Sequence, residues 1–148
     1  MKIEIFEGAL PAETIVRRWF ASQHARNFGA FIPFFGIVRQ EDGISALSFD
    51  IYEPLLNSWF EEWQTKAQQH NALLVMAHSQ GDVPIHQVSF LAGVFSVKRR
   101  VGLDMIDDFV EDFKAKAPIW KYDVINGERV YALSRSTSLP HAGLLGNL

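Results

Sequence analysis

Residues 119–134 read IWKYDVINGERVYALS, and this stretch decides the fold class. Asn126-Gly127 is a dipeptide preferred in tight hairpin turns, because the favoured turn needs positive φ at both central residues. The β-prone runs Ile119–Ile125 and Arg129–Ser134 flank it, so we predict an antiparallel hairpin. Pro118 ends the preceding helix, because proline disfavours helical backbone at the residue before it.

The segments before this hairpin alternate between helix and strand patterns. Apolar residues recur at helical spacing after Pro11, from Leu55 to Gln69 and from Val101 to Lys116. Strand patterns occupy Met1–Glu7, Ala30–Arg39, Leu47–Ile51, Leu73–His78 and Gln87–Val97. The order β-α-β-β-α-β-β-α-β-β contains adjacent strand pairs, so we predict an α+β fold with an antiparallel or mixed sheet.

Prolines and glycines refine this prediction. Pro33 lies inside a predicted strand, which indicates a bulge or an edge position. Gly81–Pro84 indicates a loop.

The chain has 148 residues, the size of one ordinary domain. We assign residues 1–134 to a single catalytic α+β domain and residues 135–148 to a C-terminal tail that is either flexible or docked on a partner.

Composition excludes several kinds of function. The chain has no cysteine, which excludes a disulfide framework, an iron–sulfur cluster and a thiol nucleophile. Its 5 histidines show no ligand spacing, so we predict no metal site and no cofactor. The net charge of −3 disfavours nucleic acid as a partner. No apolar run reaches the roughly 20 residues of a membrane span, and we expect a cytoplasmic protein without a membrane partner.

Cations at the ends of predicted elements are the main functional signal. Taken singly, each is a solvated surface charge. Together, in an acidic protein, they predict a pocket for a small anionic ligand. The set consists of Arg39 after one strand, Lys98 and Arg99 closing another, Lys114 in the last helical turn, and Lys121 after Pro118-Ile119-Trp120.

We expect the turn at Pro118 to fold the Lys114 and Lys121 amines toward one place. Clustered ammonium groups lower each other's pKa, which suits a lysine to proton transfer near neutral pH or to phosphate binding. The residues alone leave two other functions open. One is a non-catalytic binding module whose basic pocket holds an acidic partner C-terminus, and the other is phosphate-ester transfer with a lysine acid.

Residues 114–121, KAKAPIWK, resemble the signature K-x-x-A-P-I-W-K of the catalytic (large) subunit of molybdopterin synthase. Phe35–Arg39 resembles the F-x-G-x-V-R strand end of that family, and His78 with Gly81 resembles its H-R-x-G. The matches span roughly residues 28–134. Lys98 stands where the family has His, and Arg135 is the nearest counterpart of an Arg often found near the family's C-terminus.

The resemblance implies a sulfurtransferase of molybdenum cofactor biosynthesis. The implied fold is α/β-hammerhead-like with an additional antiparallel β lobe. The implied substrate is cyclic pyranopterin monophosphate, and the product is molybdopterin, which carries a dithiolene. Sulfur would come from the thiocarboxylated C-terminal Gly-Gly of a small ubiquitin-like sulfur-carrier subunit, and this chain would form a homodimer within a heterotetramer.

The resemblance also implies roles for particular residues. The implied catalytic residues are Lys114 and Lys121. Lys114 suits the carboxyl end of the partner's tail and proton transfer, and Lys121 suits charge stabilisation as the cyclic phosphate opens. The implied substrate-binding residues are Ile37, Val38, Arg39, Lys98, Arg99, Lys114, Lys121, Tyr122 and Asp123.

Overall fold

The computed structural model describes residues 2–132, so the predicted tail 135–148, including Arg135, lies outside the described residues. The elements follow one another in the predicted order. They are β1 (Glu4–Glu7), α1 (Ala12–Gln23), β2 (Ala30–Ile37), β3 (Ala46–Ile51), α2 (Glu53–Gln69), β4 (Ala72–Pro84), β5 (Val88–Ser96), α3 (Arg99–Lys116), β6 (Ile119–Ile125) and β7 (Glu128–Tyr131).

The strands form one mixed sheet in the order β2-β5-β4-β3-β6-β7, with β1 paired to β4 in parallel. The other pairings along that order are antiparallel. Strands β3, β6 and β7 make up an antiparallel lobe beside the helix-covered part of the sheet. The predicted α+β class with an additional antiparallel lobe is confirmed.

Strand β4 corrects one prediction. The sequence Gly81–Pro84 was expected to be a loop, but β4 continues through it because β3 supplies a pairing partner, with Phe49 opposite Gly81 and Ala46 opposite Pro84. Gly81 has a φ of +78°, a conformation that L side chains rarely adopt, so another residue at this position would be strained. A single long strand therefore joins the helix-covered part of the sheet to the lobe.

Pro33 confirms one of the two alternatives left open for its strand. It is exposed in the middle of β2, which is the edge strand of the sheet, and an edge tolerates a residue that has no N–H. The irregularity in β2 falls between Gly36 and Ile37 and not at Pro33.

Helices cover both faces of the central strands. Alternate residues of β4 point to opposite faces, so Leu74 and Met76 pack under α2 and α3 while Val75 and Ala77 pack under α1. Phe109 of α3 is fully buried, and burial of a side chain of this size contributes about 1.5–3 kcal/mol. No helix among residues 2–132 is long and apolar enough to cross a membrane.

A small third cluster connects the lobe to the end of β2. Val38, Phe49 and Val83 are buried together, and Ile119 at the start of β6 packs against them. The residue before Arg39 therefore shares a core with the strand that carries Lys121. This cluster fixes how the predicted site segments approach one another.

Candidate active site

The turn between α3 and β6 carries both predicted catalytic lysines. Lys114 lies in the last turn of α3, and Ala117 ends the helix with extended backbone at φ −64° and ψ 133°. The Ala117 N–H donates to the Phe113 carbonyl at 3.0 Å, after which β6 begins at Ile119. Lys114 is exposed and Lys121 is partly buried. The two lysines lie on either side of the turn, Lys114 at the end of α3 and Lys121 in β6.

An aromatic cluster is formed by Phe49, His78, Phe90 and Phe113, next to the segments that carry these lysines. The His78 ring is 5.0 Å from Phe49 and 5.6 Å from Phe113, and Phe90 stacks on Phe113 at 4.1 Å. Phe113 directly precedes Lys114. Phe49 is the cross-strand partner of Lys121, and directly opposed residues share a face of the sheet. The aromatic cluster therefore links the two lysine-bearing segments.

His78 is the polar member of the aromatic cluster. Its side chain is buried, and Nδ1 donates to the Ser79 carbonyl at 2.7 Å. Burial lowers the pKa of His78 to about 4, an effect that this hydrogen bond opposes only in part. The imidazole is therefore neutral near pH 7. Charge in the predicted site comes from the lysines and Arg39, and not from His78.

The segment that ends in Arg39 is held by its backbone. The Val38 N–H donates to the Gln87 carbonyl at 2.9 Å, and the Val38 carbonyl accepts from the His86 N–H at 2.6 Å. The Arg39 side chain is 81% exposed and forms an ion pair with Glu41 at 3.2 Å. A rigid backbone thus presents a guanidinium to solvent beside the lobe.

The two faces of β6 separate predicted site residues from one another. Lys121 and Asp123 share a face, and Tyr122 between them points to the other face. There the Arg129 guanidinium lies 3.9 Å from the Tyr122 ring centre and pairs with Asp50 at 2.9 Å. Burial and the neighbouring Asp50 carboxylate raise the pKa of Tyr122. Tyr122 is therefore engaged away from the face that carries Lys121.

Lys98 and Arg99 lie in a different place from the one expected. The sequence suggested that they close a strand, but β5 ends at Ser96 and α3 begins at Arg99. The Gly102 N–H donates to the Lys98 carbonyl at 3.4 Å, which is the first hydrogen bond of the helix. At 1.5 Å per residue, the helix separates Arg99 from Lys114 by about 22 Å. Within one chain, the predicted cations form two groups.

Sequence reasoning missed Asp112, which lies on α3 two residues before Lys114. Its Oδ2 accepts hydrogen bonds from the indole N–H groups of Trp59 at 2.9 Å and Trp63 at 2.7 Å, and its Oδ1 lies 3.3 Å from Lys116 Nζ. Burial alone would raise the pKa of Asp112, but these indoles and Lys116 outweigh it and lower the pKa. The available signal in the sequence was the four-residue spacing of Trp59 and Trp63 on one helix and of Asp112 and Lys116 on the next.

Other parts of the described chain add no competing site. Among residues 2–132, no group of three or more His, Asp or Glu side chains is arranged to hold a metal ion. Ile37 is 55% exposed at the end of β2. An apolar groove elsewhere on β2 and α1 contains none of the predicted site residues and is lined by Glu13, Val16, Arg17, Phe20, Phe31, Pro33 and Phe35.

The fold and site define an α+β protein with a lysine-bearing turn where a helix-covered sheet meets an antiparallel lobe. A family model described as MoaE protein matches residues 10–116. A molybdopterin synthase catalytic subunit of Helicobacter pylori is 49% identical over 143 residues, which cover 97% of this chain and 99% of that protein. The chain therefore belongs to the MoaE family of molybdopterin synthase catalytic subunits, and the family predicted from the sequence is confirmed.

Solved structures agree with this assignment. A structure from Helicobacter pylori, solved as a protein–protein complex of subunits 1 and 2 of molybdopterin-converting factor, gives a TM-score of 0.90 at 49% identity and covers 97% of this chain and 98% of that chain. Molybdopterin synthase from Staphylococcus aureus gives a TM-score of 0.74 at 20% identity, with 86% of this chain and 94% of that chain covered. The second likeness shows the shared fold.

Proposed function

We propose that this chain, as the catalytic subunit of molybdopterin synthase, transfers sulfur to cyclic pyranopterin monophosphate and so forms the dithiolene of molybdopterin. The family match and the relatives' names support the sulfurtransferase assignment. The observation that carries the site is the aromatic cluster around His78, because it fixes the segments of Lys114 and Lys121 on either side of one turn.

The sulfur donor is the thiocarboxylated C-terminal Gly-Gly of a small ubiquitin-like subunit. The Helicobacter pylori relative was solved in complex with a second subunit of its converting factor, which supports a protein partner. The chain contains no cysteine, so it has no thiol of its own on which to carry sulfur. A donor that arrives on the partner's tail meets this requirement.

The described residues suit a division of roles. Lys114, exposed at the end of α3, binds the carboxyl end of the tail and moves a proton. Lys121 stabilises negative charge as the cyclic phosphate opens, and Asp123 shares its face of β6. Arg39 offers a planar guanidinium that binds phosphate through two parallel hydrogen bonds, which a lysine cannot reproduce.

Lys98 and Arg99 join this site from a second copy of the chain. About 22 Å of helix separates Arg99 from Lys114, so side chains of one chain cannot both contact the same phosphate group. A homodimer that brings the start of α3 of one copy to the end of α3 of the other combines both sets of cations. Such a dimer, with one small subunit bound to each copy, is the proposed heterotetramer.

Complementation between variants tests this arrangement. Lys114→Ala and Arg99→Ala chains are mixed under conditions that exchange subunits, and dithiolene formation is measured at a substrate concentration low enough that Arg99→Ala alone gives almost no product. Half of the dimers are then mixed and each regenerates one intact site, so activity should return to about a quarter of wild type. Mixing Lys114→Ala with Lys121→Ala is the matched control, since both defects fall in the same half of the site and no intact site forms.

No recovery in the first mixture, with subunit exchange verified, would contradict a shared site. The non-catalytic binding module and phosphate-ester transfer, which the residues alone left open, both predict that no dithiolene forms. The relatives are named as catalytic subunits, which favours the synthase. The roles of Ile37, Val38 and Tyr122 in substrate binding, and the cytoplasmic location, stay predictions.

A further inference from the structure

We propose that Asp112 is a positioning residue for Lys114, which it holds in place through the last turn of α3. The inference rests on the proposed catalytic role of Lys114. Asp112 belongs to neither the sequence signature nor the cationic set, and its two hydrogen bonds to indole N–H groups are directed toward α2.

Trp59 and Trp63 offer a fixed pair of donors, here called the indole pair. They are four residues apart on α2 and so lie on the same side of that helix. Both rings pack on Phe109, at 5.1 Å and 5.3 Å, and the Trp59 ring also contacts Phe113 at 5.9 Å. Aromatic packing therefore fixes the direction of both N–H groups independently of their hydrogen bonds to Asp112.

The indole pair converges on a single oxygen. Both N–H groups donate to Oδ2 of Asp112, and Oδ1 is left to pair with Lys116. Hydrogen bonds to an ionised acceptor are short and directional. Two donors from fixed rings therefore define both the position of the carboxylate along α3 and the rotation of the helical turn that carries it.

Lys114 belongs to that same turn. It lies between Asp112 and Lys116, and at about 100° per residue its side chain leaves the helix on nearly the opposite side from both. The side that faces α2 is thus anchored by Asp112, while the other side presents Lys114. Phe113, stacked on Phe90, secures the intervening residue in the aromatic cluster.

Removing the carboxylate should let this turn shift and should misplace the Lys114 amine. A displacement of about 1 Å in a catalytic group can cost up to roughly a hundredfold in rate. The expected effect falls on kcat, because Lys114 acts on the reacting groups. The KM for the cyclic substrate, to which other cations contribute, should change by no more than about twofold.

The experiment compares variants of the full chain with its thiocarboxylated partner and cyclic pyranopterin monophosphate. Asp112→Ala is expected to lower kcat at least about tenfold, whereas Asp112→Asn, which keeps an oxygen for the indole pair, should stay within about threefold of wild type. Asp108→Ala is the matched control, since Asp108 is an exposed carboxylate one turn earlier on α3. If Asp112→Ala does not fold, Trp63→Phe removes one donor, keeps a ring, and should lower kcat about threefold.

A double variant separates this inference from the proposed function. In the Lys114→Ala background, Asp112→Ala should leave the residual rate unchanged, because the two act as one unit. A folded Asp112→Ala with wild-type kcat beside an inactive Lys114→Ala would overturn the positioning role alone. An active Lys114→Ala would overturn the catalytic role of Lys114 and this inference with it.

Discussion

His78 makes the pH dependence of stability predictable. Burial holds the pKa of the folded state at about 4, against 6.5 for an unperturbed histidine. Below pH 6.5 the unfolded chain binds a proton that the folded chain excludes, so stability from the neutral imidazole is complete above pH 6.5 and is lost as the pH falls toward 4. At 1.36 kcal/mol per unit of pKa difference between the folded and unfolded states, the free energy of unfolding falls by about 3 kcal/mol.

Urea unfolding at a series of pH values between 7 and 4 measures this loss. His78→Asn replaces the ring with a group that does not titrate and whose amide can still donate to the Ser79 carbonyl. Between pH 7 and 4, the free energy of unfolding of wild type should fall by about 3 kcal/mol more than that of His78→Asn. His24→Asn, at an exposed position after α1, should follow wild type. Parallel curves for wild type and His78→Asn would refute the reasoning.

Further predictions concern single side chains. Arg39→Ala should weaken substrate binding about 10- to 150-fold through a lost charge-assisted hydrogen bond. Because the Arg39 side chain is 81% exposed, the free energy of unfolding of this variant should differ from that of wild type by less than about 1 kcal/mol. A binding titration measures the substrate affinity, and a urea titration measures the stability. Lys98→His should be tolerated at low pH and lose activity as the pH rises through about 6.5, where the imidazole loses its charge, as a pH–rate profile will show. Gly29→Ala should destabilise the fold by about 1–3 kcal/mol in urea, because the added Cβ would lie 2.5 Å from the Val97 carbonyl oxygen.

Local sequence patterns predicted the order of the elements because the turn chemistry is strong. Asn126-Gly127 forms the expected hairpin turn, with positive φ at both residues. Pro118 ends α3 as expected. The pattern failed at Gly81–Pro84, since a glycine and a proline read as a loop unless a distant strand supplies the pairing. Such pairing is a long-range property that no local window contains.

The candidate site was only partly predictable for the same reason. The spacing around Pro118 correctly indicated a turn between Lys114 and Lys121. Nothing local to Lys98 and Arg99 distinguishes a strand end from a helix start, and their distance from Lys114 follows only from the observed length of α3. The contact between Asp112 and the indole pair spans about fifty residues of sequence and depends on how α2 packs against α3.

The most direct test is whether this chain makes the dithiolene. Purified chain is incubated with the thiocarboxylated small subunit and cyclic pyranopterin monophosphate, and molybdopterin is quantified for wild type, Lys114→Ala and Lys2→Ala. Lys2 is the matched control, an exposed lysine before β1 that belongs to neither the predicted site nor the contacts of Asp112. We expect product from wild type and Lys2→Ala and almost none from a folded Lys114→Ala. No product from wild type, or undiminished product from Lys114→Ala, would contradict the proposed mechanism.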